Sequence, residues 1–463
     1  MSSRELARPV ERDLRALLGP EGVLPGTTAQ YLTDATESRA IRGRADAIAL
    51  PSDAQQVASV VRWCYDHDVP IVPRGGGTGL AGGAVPTDGG VVLGLERMRA
   101  VRSLEGELWR AQVEAGITTA DVARRARQSG LLYPPDPGAA EQSQIGGNIA
   151  TNAGGPHTFK YGVTSAWVTG LEFVLAPGEV VSIGGPVRKD VAGYDLKSLL
   201  IGSEGTLAVV TAAWLRLTPS PASQLPVVAF YASAAAGCEA LCAVLASGLV
   251  PATLEYLDEG AVAAAAPSFP DTVPRAAAFM LIAEADGSEP EAQRLRTELL
   301  EVLSEQALSL HAPTERRAIS ALWRWRAGAS IAVTARRGGK LSEDIVVPVE
   351  RLGEAIAATR EIGARHRLPA CSWGHAGDGN LHSTFMIDRS DPEQVARAER
   401  AAAALFALAC ELGGSVSGEH GLGLVKRGAL ARQWPEPAVA LHEGVKRLFD
   451  PKGLFNPGKK VAR

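Results

Sequence analysis

The stretch SWGHAGDGNLHSTF, from Ser372 to Phe385, sets His375 and His382 on either side of a turn built from Gly377, Asp378, Gly379 and Asn380. The chain has eight histidines, and two of them stand here. A tight hairpin lays the residues before and after its turn side by side on facing strands, so both imidazoles can point into one space. A second stretch, GGSVSGEHGLG (residues 413–423), offers Glu419 and His420 between glycines. Two imidazoles and a carboxylate with open positions suit a catalytic divalent metal, zinc most simply, or manganese or cobalt. His420 adjoins one of these groups, and histidine accepts a proton near neutral pH, so it is the candidate base. The competing reading is a hairpin with two unrelated surface histidines.

Elements elsewhere must supply the rest of such a site. The loop PRGGGTGLAGGAVP (Pro73–Pro86) contains Gly77, Gly79 and Gly82 in a GxGxxG pattern, with Glu96 further on. A dinucleotide fingerprint of that type has to open a helix. Here Pro86, Gly89, Gly90 and the strand-like VVLGL follow instead. Glycines at positive φ can also turn successive backbone N–H groups onto a diphosphate with no helix at all. A second glycine segment, EQSQIGGNIATNAGGPHTFKYG (141–162), carries Asn148, Thr151 and Asn152 among small residues that let a flat polar ring sit against backbone. A third, AGYDLKSLLIGSEGTLAVVT (192–211), holds Gly202, Glu204, Gly205 and Thr206.

With 463 residues, 46% hydrophobic and 21% charged, the chain is a soluble globular protein of two or three domains. A net charge of −4 leaves no basic footprint for nucleic acid. Its five cysteines form no CxxC pair, which fits a reducing compartment and excludes an iron–sulfur cluster of the usual spacing. Cys238 and Cys242 are expected on one helix face, packed as small apolar residues. The charged N-terminus lacks a signal-peptide core, and the uncharged stretches are broken by proline or rich in alanine, so a cytoplasmic protein is expected, with peripheral attachment at the inner face of a membrane left open.

The order of elements is strand, helix, strand. Ser52 with Gln55 is expected to box the first helix, where Val57, Val60, Val61 and Cys64 follow helical spacing. WRAQVEAGITTADVARRARQSGLLYPPDP repeats the theme, with a threonine cap, Val122, Ala123 and Ala126 inward and Gly130 closing the helix, so βαβ organisation is expected twice. TPSPASQLP (218–226) reads as a boundary. Beyond it, PVVAFYAS, RAAAFMLIAEAD and EDIVVPV alternate with helical stretches, as in an α+β domain with an antiparallel sheet.

RGGGTGL, YPPDP, GGNIATNAGG, GSEGTL and the terminal FNPGK, in this order, resemble the FAD-linked oxidases of the vanillyl-alcohol oxidase/p-cresol methylhydroxylase superfamily. GHAGDGNLH and SGEHGLG narrow the resemblance to its D-2-hydroxyacid dehydrogenase branch. The resemblance implies an α+β fold: a two-subdomain FAD-binding domain, an α+β cap domain with an antiparallel sheet, and a C-terminal segment returning to the FAD domain. The expected division is a lead-in over 1–40, the FAD domain over 41–219, the cap over 220–412 and the returning segment over 413–463. It also implies that Arg74, Gly75, Gly76, Gly77, Thr78 and Gly79 with Gly82 hold the diphosphate. Gly147, Asn148, Ala150, Thr151, Asn152, Gly154 and Gly155, with Pro135 and Asp136 of YPPDP, are expected at the flavin. Glu204, Gly205 and Thr206 would approach the adenosine half, and Asn456 would close over the isoalloxazine. The first loop has no histidine, so FAD is expected to be non-covalent.

By the same resemblance His375, His382 and Glu419 are the metal ligands and His420 the base. A 2-hydroxy acid would chelate the metal through its hydroxyl and one carboxylate oxygen while its α-hydrogen leaves as hydride to flavin N5. Arg326 aligns with the family's substrate arginine, with Ser330 one turn on and Lys340 nearby. Thr384 stands where the 2-hydroxyglutarate enzymes carry asparagine, which favours a smaller acid such as lactate or glycolate. Electrons would leave to a quinone, an electron-transfer flavoprotein or a separate iron–sulfur subunit, and a homodimer is the family-level expectation. The alternatives are a non-catalytic FAD-binding electron-transfer subunit, for which the histidine motifs have no use, and a metallohydrolase, for which the glycine loops have none. An alkyl-transferring flavoenzyme of the same fold is disfavoured by the metal motifs.

Overall fold

The computed structural model describes residues 3–36 and 39–460, so the extreme ends of the expected lead-in and returning segment lie outside the described residues. Ala47–Ala49, Val91–Gly94 and Ile71–Arg74 form a parallel set, joined on the outside of Ala47–Ala49 by antiparallel Val23–Pro25. Helix Ala54–Asp66 makes the crossover and buries Val57, Val60, Val61 and Cys64. Its cap sits one residue later than expected: Asp53 accepts from the Gln56 N–H at 2.9 Å, and Gln56 Oε1 accepts from the Ser52 N–H at 2.9 Å.

A five-stranded antiparallel sheet follows, in the order Val101–Glu105, Arg110–Glu114, Val209–Arg216, Val168–Leu175, Glu179–Gly184. Ala47, Ala49 and Leu93 of the first sheet and Ala111, Val113 and Leu171 of the second belong to one core with that crossover helix. The second βαβ unit does not form. Thr118 caps helix Thr119–Gln128 and Gly130 takes φ +70°, but Leu131–Leu132 pairs antiparallel with Thr218–Pro219 in a ladder of its own. Its two residues are too short to join the larger sheet, and Ala123 stays half-buried.

The remaining strands make a seven-stranded antiparallel sheet: Ala307–His311, Ser223–Tyr231, Phe279–Gly287, Thr253–Asp258, Ala370–His375, Asn380–Ile387, Gly339–Val346. Both faces are covered, so strand residues alternate between two cores: Val227, Ala229 and Tyr231 face helices Ala234–Ala246 and Glu289–Ser304, while Val228 and Phe230 face Leu322 and Trp325. Cys238 is half-buried, but Cys242 is exposed, because Gly237, Ala240, Leu241 and Val244 form the buried face of that helix. After helix Glu436–Phe449 the chain returns to the first sheet: Phe455 bridges Ile71 in parallel, with Ile71 N–H on Leu454 O at 2.8 Å and Asn456 N–H on Ile71 O at 2.7 Å.

Candidate active site

Strands Ala370–His375 and Asn380–Ile387 form the hairpin, closed by a single turn over Ala376–Asp378 with Gly379 at φ +65°. His375 stands opposite Asn380, and His382 opposite Trp373. The two histidines are therefore diagonal neighbours on one face of the sheet, with ring centroids 5.5 Å apart. Glu419 meets both: its Oε1 lies 3.5 Å from His375 Nε2 and 3.5 Å from His382 Nε2. The three candidate ligand atoms lie within 4.8 Å of one another. The donor set fits a divalent cation in chemistry and convergence.

The loop that carries Glu419 and His420 hangs between two buried carboxylates. Asp344 Oδ2 accepts from the N–H groups of Gly418 (2.6 Å), Glu419 (2.6 Å) and His420 (3.1 Å). Glu204 accepts from the N–H groups of Leu422 (3.0 Å) and Gly423 (2.7 Å). His420 stacks on His382 at 5.3 Å, and its Nδ1 lies 3.6 Å from Asp344 Oδ1.

Burial and charge set the protonation of these groups. Burial would push the Asp344 carboxyl up, but Lys426 and His420 hold it well below the usual range. Burial would raise Glu419 too, yet His375 and its neighbours bring it down to about 2. His382 is lowered to about 3 by burial, against the pull of Glu419, so it is neutral, as a ligand must be. Burial alone would lower His375, but Glu255 and Glu419 raise it well above the ordinary histidine value. Burial raises the Asp378 carboxyl to about 6.

A cavity of about 570 Å³ runs past these residues. It is lined by Arg74, Gly75, Gly76, Gly77, Thr78, Gly79, Gly147, Asn148, Ala150, Thr151 and Gly154, and also by Lys340, Trp373, His382, Glu419 and His420. Glu204 and Gly205 also line it. A Cβ added at Gly79 would meet nothing, and one at Gly147 would meet only Gly75 Cα at 4.0 Å, so backbone faces open space there. These bare surfaces fit a cofactor pressed against main chain.

Several expected contacts fall elsewhere. The Arg74 guanidinium donates to Thr33 O and Gln30 O, both at 2.8 Å, so the side chain staples the loop from behind. Pro135 and Asp136 do not line the cavity; Pro137 and Gly138 do, and Asp136 binds His157 Nδ1 at 2.5 Å. Gly155 packs against Asp136, where a Cβ would meet its carbonyl oxygen at 2.5 Å. Asn152 and Thr206 line a neighbouring cavity of about 510 Å³. Gly82 packs on Leu424, and its N–H donates to Thr36 Oγ1 at 2.7 Å. Asn456 donates to Gly83 O and Glu204 O, tying the returning segment to both loops, and its Oδ1 is buried without a partner.

Of the expected substrate residues, Ser330 and Lys340 line the cavity and touch each other, with Lys340 also 4.9 Å from the Trp373 ring centre. Arg326 is buried and ion-paired to Glu255, outside the cavity lining. Glu255, Asp344 and the cavity-lining Arg39, which pairs with Glu343 and Glu399, went unread in the sequence. Each lies in an unremarkable strand or loop far along the chain from its partners. Only the odd acid inside an apolar strand run, as in SEDIVVP, could have flagged one of them.

Residues 45–184 match the FAD binding domain family, and residues 220–460 match the family of FAD linked oxidases, C-terminal domain. The chain is 36% identical to glycolate oxidase subunit GlcD of Bacillus subtilis (strain 168) over 99% of its own length and 98% of that protein. It is 34% identical to a D-lactate dehydrogenase of Anaerostipes hadrus over 90% of each. Among solved structures, p-cresol methylhydroxylase superposes with a TM-score of 0.79 at 18% identity, covering 98% of this chain and 97% of that one. Alkyldihydroxyacetonephosphate synthase superposes with a TM-score of 0.76 at 18% identity, covering 97% and 84%. Those two show the shared fold. With both family matches and a relative aligned end to end, the chain belongs to the FAD-linked oxidases and is a flavin-dependent oxidoreductase.

Proposed function

We propose that the protein oxidises a D-2-hydroxy acid of lactate or glycolate size to the 2-oxo acid, using FAD and a divalent cation, with His420 as the base. The observation that carries this reading is the single cavity joining the glycine cradle to His382, Glu419 and His420. Relatives named as a glycolate oxidase subunit and a D-lactate dehydrogenase support the substrate class. FAD, when bound, would supply the hydride acceptor for the substrate α-carbon, and a cation held by His375, His382 and Glu419 would supply Lewis acidity toward the hydroxyl.

The chain's own residues bind, orient and move the proton. His420 receives the hydroxyl proton, with its Nδ1 turned toward Asp344 at 3.6 Å and its Nε2 as the accepting atom. Lys340 with Ser330 offers a cationic, hydrogen-bonding seat for the substrate carboxylate. Ser342 lines the cavity, and the buried Thr384 behind it satisfies its hydroxyl at 2.8 Å, a small polar wall that suits a short side chain. The five cysteines are free, so we assign electron exit to a separate acceptor, a quinone or a redox protein. Among the described residues no helix is long and apolar enough to cross a membrane.

The test is the visible flavin spectrum of the purified protein under anaerobic D-lactate or glycolate. The band is expected to bleach, to stay oxidised after chelation and to bleach again once zinc or manganese is restored. A flavin that neither acid reduces at any metal loading overturns the proposal.

A further inference from the structure

We propose that Glu255 is a positioning residue for the metal centre, with Arg326 as its counter-charge. The inference rests on the metal reading above. Glu255 lies on strand Thr253–Asp258 directly opposite His375 in the neighbouring strand, fully buried. Its Oε1 is 2.5 Å from His375 Nδ1, and its Oε2 accepts from Arg326 Nη2.

An ionised carboxylate can only accept, so Nδ1 must carry the proton of that bond. This leaves Nε2, the atom 3.5 Å from Glu419 Oε1, as the lone-pair donor aimed at the metal position. The carboxylate also fixes the plane of the ring and raises its basicity, as carboxylates behind metal-binding histidines do. A fully buried carboxylate needs a counter-charge, and Arg326 supplies it. One guanidinium nitrogen is thereby engaged. Its Nε is buried without a partner, and the side chain is absent from the cavity lining, where Ser330 and Lys340 stand. Arg326, Glu255 and His375 thus form one relay behind the metal ligands.

Zinc affinity separates the roles. It would be measured by competition with a chromophoric chelator on the FAD-loaded protein, for wild type, E255Q, R326Q and the double variant, alongside kcat and KM for D-lactate at saturating zinc. We expect E255Q and R326Q each to weaken zinc binding about 10- to 100-fold. The double variant should be no worse than the weaker single, because one relay is broken once. KM of E255Q should stay near wild type. Wild-type zinc affinity in E255Q overturns the inference, as does R326Q with a raised KM and unchanged zinc affinity. Should E255Q fail to fold, R326Q reads the same relay with the same two outcomes. A wild-type protein that binds no zinc would instead bring down the metal reading itself.

Discussion

Asp344 is fully buried, and five hydrogen-bond donors converge on its carboxylate: three consecutive backbone N–H groups, the Ser417 hydroxyl and the Lys426 ammonium. Three of them fix the residues that present Glu419 and His420, so the position of the base depends on one side chain of a neighbouring strand. The two partners of the buried pair are not equivalent. Without Lys426, Asp344 keeps four donors, a loss of about 1–3 kcal/mol. Without the Asp344 charge, Lys426 is left buried on a carbonyl at 2.7 Å and Glu343 at 3.5 Å, a loss of about 3–5 kcal/mol. D344N should therefore lower the denaturant midpoint more than K426M and abolish turnover as well. The opposite order of midpoints would remove Asp344 from its place as organiser of the loop.

At the level of elements, the cofactor surface is made of helix and loop segments whose glycines have different duties. At Gly76 a Cβ would sit 2.0 Å from Gln142 O, so that glycine serves the fold. Gly147, inside helix Ile145–Thr151, faces open space instead. G147A should gain about 0.5–1 kcal/mol of helix stability in the FAD-free protein. The same methyl intrudes on the cradle, so FAD affinity should fall at least about tenfold, or 1.4 kcal/mol. Melting of the FAD-free protein and FAD retention on gel filtration would read the two effects; a variant that keeps FAD like wild type would show that backbone at 147 does not meet the cofactor. Clustered glycines and paired histidines were legible in one dimension because rare residues at fixed spacing have few other uses. The hairpin register could be read because a two-residue period decides which face a side chain takes. What stayed hidden was pairing across distance: Asp344 serves a loop 74 to 76 residues on, and Glu255 a histidine 120 residues on. The second βαβ unit misled because a strand, a cap and an amphipathic helix look alike whichever sheet the following strand joins.

Across the whole molecule, the C-terminal end of the second glycine segment is clamped to the seven-stranded sheet by charge. His157 reaches Asp136 at 2.5 Å and, across the junction, Glu284 at 3.3 Å. Trp323 Nε1 and Gln224 Nε2 also donate to Glu284, at 2.8 and 3.0 Å, while Lys160 and Tyr161 both grip Asp286. Glu284 and Asp286 are buried on one strand, so the clamp holds the part of the chain that supplies Gly154 and Ala150 against the sheet whose hairpin holds the histidines. Burial would lower the His157 pKa, but Asp136 and Glu284 raise it well above 6.5. The stabilisation from charged His157 is therefore complete below the unfolded value of about 6.5 and is lost as pH climbs through the higher folded value. The Tyr161 phenol, pushed up by burial and Asp286, does not ionise in that range. Wild type should thus lose stability relative to H157Q as pH rises above about 6.5. The loss should come with weaker FAD retention, because the cavity walls separate when the clamp loosens. Thermal melts of both proteins across that range would check it. A wild-type curve that stays parallel to that of H157Q would mean that the junction is held by packing and by the Asp286 contacts alone.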